Sequence, residues 1–192
     1  MAPNFKALLA VLAVLLTFGA GAQAPDPGPL IAAQREAMAP LARMDGVWRG
    51  SAWTLQPNGE KRHITQTERI GPFLDGSVKV IEGRGYREDG TVGFNAFGIV
   101  SYDPAKRAYS IRSYAMGRSG DFSFRPTDDG YAWELPAGPG ATIQYRASIK
   151  DNVLHEVGDR IVPDREPLRI FEMTLKRVGD TEWPAANPIP PR

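Results

Sequence analysis

Residues 142–161 read TIQYRASIKDNVLHEVGDRI. In the first half Ile143, Tyr145, Ala147 and Ile149 alternate with Thr142, Gln144, Arg146 and Ser148, the period of a strand with one dry face and one wet face. Asp151 and Asn152 tolerate the positive φ that a tight hairpin needs, and an apolar-rich strand returns over 153–161. A two-residue turn at Asp151 and Asn152 pairs Ile149 with Leu154 and Ala147 with Glu156, which places Glu156 on the Tyr145 face. A three-residue turn pairs Ile149 with Val153 and Ala147 with His155, and His155 points inward instead. A slip of one residue exchanges every face. The turn chemistry favours the first register and the positions of Val153 and Val157 favour the second; the reading adopted has Glu156 inward.

The same grammar extends outward in both directions. Strand patterns fall at 46–55, 62–70, 77–86, 93–102, 108–116, 121–125, 131–135, 142–149, 153–161 and 168–177. Between them lie PNG at 57–59, DG at 75–76, EDG at 88–90, DPAKR at 103–107 and DDG at 128–130, all turn chemistry. No intervening segment is long enough for a crossover helix, so the sheet is expected to be antiparallel and meandering. About ten strands in up-and-down order tend to close, because closure removes exposed edges. The expected fold is therefore all-β: a single antiparallel barrel over 45–178, with a two-sheet sandwich as the second choice. Glycines within the strands, at 83, 85, 98 and 158, suggest bulges or tight coiling. In the first strand Gly46, Trp48 and Gly50 share a face, and Trp48 is expected to close one barrel end.

The flanks differ in composition. Residues 23–30 (QAPDPGPL) read as an extended Pro-rich linker, and 31–44 (IAAQREAMAPLARM) as short helical turns interrupted by Pro40. Residues 179–192 form a Pro-rich tail that cannot continue a ladder. At the start, Lys6, the apolar run 7–20 and the small residues Ala20, Gly21 and Ala22 have the three parts of a secretory signal, expected to be cleaved after Ala22. The run is short for a membrane span, and no cysteine follows it to carry a lipid. The expectation is a soluble protein secreted to a bacterial periplasm, with no stable membrane insertion after cleavage.

Cysteine is absent from the chain, so a secreted product must rest on its core rather than on disulfides. Losing Lys6 with the signal leaves the 23 basic residues one fewer, equal to the 22 acidic ones. A neutral chain with interleaved charges lacks the electrostatic footprint of a nucleic-acid or anionic-membrane binder.

DGVWRGSA at 45–52 resembles the Gly-x-Trp first-strand signature of lipocalins, fatty-acid-binding proteins and nitrobindins. Together with ERIGPFLDG at 68–76, GIVSYDP at 98–104, HEVG at 155–158, FEMTLKR at 171–177 and EWP at 182–184, the chain resembles a family of uncharacterised lipocalin-like bacterial proteins known only as a domain of unknown function. The resemblance implies a calycin-type barrel and lends no activity. Nitrobindins hold haem through a histidine near the start of the last strand. Alignment on Leu175 and Arg177 puts Ile170 at that position, and isoleucine cannot ligate iron. No cofactor is expected.

Few residues carry an obvious chemistry. His63 and His155 are the only histidines, too few for a zinc site without cysteine, and no loop spaces acidic ligands for calcium. No nucleophile elbow occurs; Ser119 in GRSGDF is expected in a hairpin turn, where its role is conformational. GRG at 83–85 and GPG at 138–140 lack the strand-to-helix context of a phosphate loop. Glu134, Glu156 and Glu172 lie in apolar strand contexts. Each either faces solvent, pairs with Arg112, Arg146 or Arg169, or serves as an acid or base. The leading reading is a barrel that binds a hydrophobic or amphipathic small molecule inside. Glu156, Arg112, Arg146 and Tyr145 are its polar set, and Trp48, Trp133, Phe97 and Phe171 its walls. An enzyme using an interior Glu or His155, and a cell-envelope interaction module without a pocket, are the alternatives. Ligand identity and oligomeric state stay open.

Overall fold

The computed structural model of the chain describes residues 26–187 and 189–190; the segment read as a signal, 1–22, lies outside them. Ten strands follow one another: β1 (Gly46–Leu55), β2 (Lys61–Phe73), β3 (Val78–Tyr86), β4 (Val92–Asp103), β5 (Ala108–Ala115), β6 (Arg118–Pro126), β7 (Gly130–Pro136), β8 (Thr142–Lys150), β9 (Val153–Ile161) and β10 (Leu168–Gly179). Each pairs antiparallel with its neighbours in the chain, and β10 returns to β1, closing an up-and-down barrel. Closure leaves no strand at a sheet edge.

The hairpin at 151–152 adopts the two-residue register. Asp151 and Asn152 have φ of 51° and 59°, as a type I′ turn requires, and Ala147 stands opposite Glu156. One turn differs from expectation. GRSGDF is not a turn: Met116 and Gly117 take it, with φ of 50° and 78°. β6 then begins at Arg118, so Ser119 lies within the ladder, paired with Tyr114. A two-residue turn needs only one glycine, and Gly117 meets that need, leaving Gly120 free to pair with Ser113.

Residues sharing a ladder position share a face, so the interior can be followed strand by strand. Trp48 pairs with Glu68, Glu68 with Gly83 and Gly83 with Ala96. On the far side Tyr131 pairs with Ala147, Ala147 with Glu156, Glu156 with Met173 and Met173 with Ala52.

One end of the barrel is sealed. Helix α1 (Gly28–Met38) and a 3₁₀ segment (Ala39–Met44) cross it, so Gly28 to Leu30 are helical rather than extended linker. Pro27 precedes the first turn, where a missing N–H costs nothing. The cap is tied to three hairpins. The Tyr109 hydroxyl donates to the Ala37 carbonyl at 2.8 Å, Arg35 pairs with Asp75 at 3.2 Å, and Arg43 donates to the Asp128 carbonyl at 2.7 Å. Beneath it Trp48, Leu41, Met44, Ile70, Leu154, Met173, Leu175 and Val100 are fully buried. The Trp48 indole N–H donates to the Met44 carbonyl at 2.9 Å, fixing cap to barrel. Lys79, also buried there, is ion-paired with Asp45.

Candidate ligand chamber in the barrel interior

Above this sealed base the inward-facing side chains change character. Ile64, Phe94, Phe122, Trp133, Tyr145 and Phe171 all point inward by register, yet each is only half-buried. The aromatic wall is ordered. The Trp133 and Tyr145 rings stack with centroids 4.2 Å apart and 8° between planes. Phe171 meets Tyr145 edge-on at 5.7 Å, and Phe122 lies 6.2 Å from Trp133. Gly158 makes this packing possible, since a Cβ there would stand 2.7 Å from the Tyr145 ring.

The wall across the barrel is rich in small residues. Along β3 to β6 the inward positions at this level include Gly83, Gly85, Ala96, Gly98, Ser113 and Gly120, and the side chains of Ile64, Ile111 and Phe122 lie over Gly85, Gly98 and Gly120. A filled barrel interdigitates large side chains from both walls at crystal-like density. Here one wall supplies the stacked aromatics, and the other mixes Phe94, Ile111 and Phe122 with glycine, alanine and serine.

Two carboxylates sit where the sealed base meets this chamber. Glu156 is buried; its Oε1 accepts from the Trp133 indole N–H at 2.9 Å and its Oε2 from the Tyr131 hydroxyl at 3.4 Å. Burial pushes its carboxyl up to about 7, against the pull of those two donors. Glu68 is pushed up to about 8, first by burial and then by the charge of Glu156, with only the Gln66 amide favouring ionisation. A Cβ at Gly83 would stand 3.2 Å from Gln66 Nε2 and 3.5 Å from Glu68 Oε1, so glycine leaves these two side chains their room. Burial and Glu156 also raise the Tyr145 phenol to about 12, so it remains a neutral donor.

Of the eight side chains expected at the site, the structure brings four together in this chamber: Trp133, Tyr145, Glu156 and Phe171. Trp48 points inward too, but it is a sealed plug at the base, only 1% exposed, not a wall of the accessible part. Three expectations are corrected. Phe97 pairs with Tyr114 and Glu82, Arg112 with Asp121, and Arg146 with Ala132 and Val157, all on the outer face. Arg112 is held there by Asp121 and the Tyr114 hydroxyl. Arg146, with Arg169, clamps the buried Asp159 against the outer wall. The arginines therefore neutralise aspartates outside and leave the interior glutamates without them. Glu134 and Glu172 also face outward, the first beside Gln144 and the second 3.1 Å from His155 Nε2. His155 is thus removed from the interior.

Glu68 escaped the sequence reading, although the signal was present. In ITQTERI, residues 64–70, Ile64, Gln66, Glu68 and Ile70 alternate onto one face, and apolar ends mark that face as the inner one. Two depressions of about 250 and 290 Å³ lie on the outer wall of β6 to β9, around Ala132 and Arg146. Neither includes the interior glutamates. Among the described residues no cluster of three or more acidic, His or Cys side chains could hold a metal ion, and no helix is long and apolar enough to cross a membrane.

No protein-family model matches this chain, and no curated protein matches it. The fold and its interior geometry therefore carry the functional conclusion.

Proposed function

We propose that this barrel binds a small amphipathic molecule in the chamber above its sealed base, as a secreted carrier or sensor in the periplasm. One observation carries the reading: a half-buried aromatic cluster of Trp133, Tyr145 and Phe171 lines the barrel interior and meets the buried Glu156 at the Trp133 N–H. Apolar chambers with a few placed polar groups are the usual form of small-molecule sites. The apolar run at 7–20 and its flanks support secretion, and the resemblance to lipocalin-like proteins agrees with a barrel of this kind.

Binding is tested with N-phenylnaphthylamine, whose fluorescence rises on entering an apolar site. Ala96→Phe puts a large side chain on the inner face of β4, beside Gly83 and across the barrel from the aromatic wall. It is expected to reduce probe affinity at least about tenfold, and its thermal midpoint shows that the variant is folded. Unchanged affinity in a folded Ala96→Phe protein contradicts the reading. Mass spectrometry of an organic extract of the purified protein then identifies any natural ligand.

A second reading is supported by Glu68 and Glu156 alone. Two carboxyls poised near neutrality are suited to general acid and base work, so an enzyme acting on a chamber-bound substrate keeps Glu156, gains Glu68 and loses His155. His155→Ala is then expected to leave both probe binding and any turnover unchanged, whereas Glu156→Gln abolishes turnover.

A further inference from the structure

We propose that the chamber selects an amphipathic organic cation, an alkyl or aryl ammonium whose charge rests against Glu68 and Glu156 while its apolar part lies along Trp133, Tyr145 and Phe171. This rests on the amphiphile-binding reading above and names the head group.

The charge inventory of the inner face leads there. Following the ladder, the inward basic side chains are few. Lys79 is paired with Asp45 at the base, and Arg177 bonds Asp180 beneath Trp48. Arg62, Arg118 and Arg160 stand exposed at the open rim, opposite Thr54, Ala115 and Ile143. Between base and rim, among the described residues, the ladder places two acids and no base. Glu156 has two neutral donors, and Glu68 is in no ion pair among the described residues. A buried carboxylate is costly unless a cation meets it. This fold commits four arginines and a lysine to Asp45, Glu82 and Asp159 while assigning none to the chamber. The missing cation is the one feature a ligand would have to bring.

The aromatic wall points the same way by an independent route. Indole and phenol faces attract ammonium groups through their π electrons. Trp133 turns its N–H edge toward Glu156, so the anion sits at the edge of the stacked Trp133 and Tyr145 pair. A fatty-acid head would instead meet two carboxylates and no donor cation below the rim.

The test uses the purified full chain and three probes of equal tail length, decyltrimethylammonium, decanol and decanoate, each below its micellar concentration, with Trp fluorescence and calorimetry as readouts. The cation is expected to bind at least about tenfold more tightly than either of the others. Glu68→Gln and Glu156→Gln, nearly isosteric and neutral, are each expected to reduce cation affinity about tenfold and leave decanol affinity unchanged. Equal binding of all three, or tightest binding of decanoate through the rim arginines, overturns the cation assignment while sparing the amphiphile reading. Binding of none overturns both. The wild-type selectivity decides the matter even if a variant fails to fold.

Discussion

Raising the pH from about 5 to about 8 is expected to destabilise the unliganded protein by roughly 3–5 kcal/mol. The folded carboxyls of Glu156 and Glu68 hold their protons to about 7 and about 8, whereas in the unfolded chain glutamate ionises near its ordinary value of about 4.3. Through that window the folded state binds more protons than the unfolded one, so stability falls as pH rises. The full stability is present below the unfolded value and is lost as pH passes through the folded values. Asp45, raised by burial against the pull of Lys79, adds a smaller loss of the same sign at its acidic end. Glu82, Asp103 and Glu172 are held below the ordinary range by their partners, and they act oppositely only at more acidic pH. A carboxyl that keeps its proton through one further pH unit on folding contributes about 1.4 kcal/mol, and water entering the open end of the chamber keeps the total below the simple sum. Urea unfolding at a series of pH values measures it. Glu68→Gln should remove about half of the slope, because it deletes one of the two titrations. A profile flat from pH 5 to 8 would show that these carboxyls are not enclosed.

The second large effect concerns the base. Trp48→Ala is expected to cost about 3–5 kcal/mol, the usual range for emptying a buried Trp site, out of the roughly 5–15 kcal/mol typical of a whole domain. The side chain is 1% exposed and packs among residues from the cap and the barrel floor. Its loss also strands the Met44 carbonyl that it bonds. Trp48→Phe retains much of the packing and loses only the indole donor, so it should cost about 1–2 kcal/mol. Denaturation midpoints test both, with an unchanged slope confirming that the whole barrel still unfolds at once. The N-phenylnaphthylamine affinity of Trp48→Phe should match that of the parent, because the plug lies below the chamber.

Much of this was legible in the sequence, for local reasons. Turn residues with positive φ and period-two patterning gave ten strands whose positions agree closely with the structure. The Asp151–Asn152 turn alone placed Glu156 inside. The misplaced residues were readable too. In TIQYRASI the alternation that sends Tyr145 inward sends Arg146 outward, and in YSIRSY, residues 109–114, Ile111 inward puts Arg112 outside. Treating these arginines as partners for an interior glutamate set pairing chemistry above register. Phe97 was harder, because its neighbour Gly98 has no side chain to mark the inner face. The cap was not legible as a cap. A short helix broken by Pro40 has little amphipathic pattern of its own, and its position depends on three hairpins distant in sequence. The cluster of small inward residues likewise emerges only when β3 to β6 are laid side by side.

The most direct test of an interior site locates the bound molecule. With alanine and isoleucine methyls labelled, contacts between bound N-phenylnaphthylamine and the protein can be read by NMR through intermolecular NOEs. Contacts to Ala96 and Ile64, which face the chamber, are the expected result. Contacts confined to Ala132, which floors the depressions on the outer wall, would contradict it.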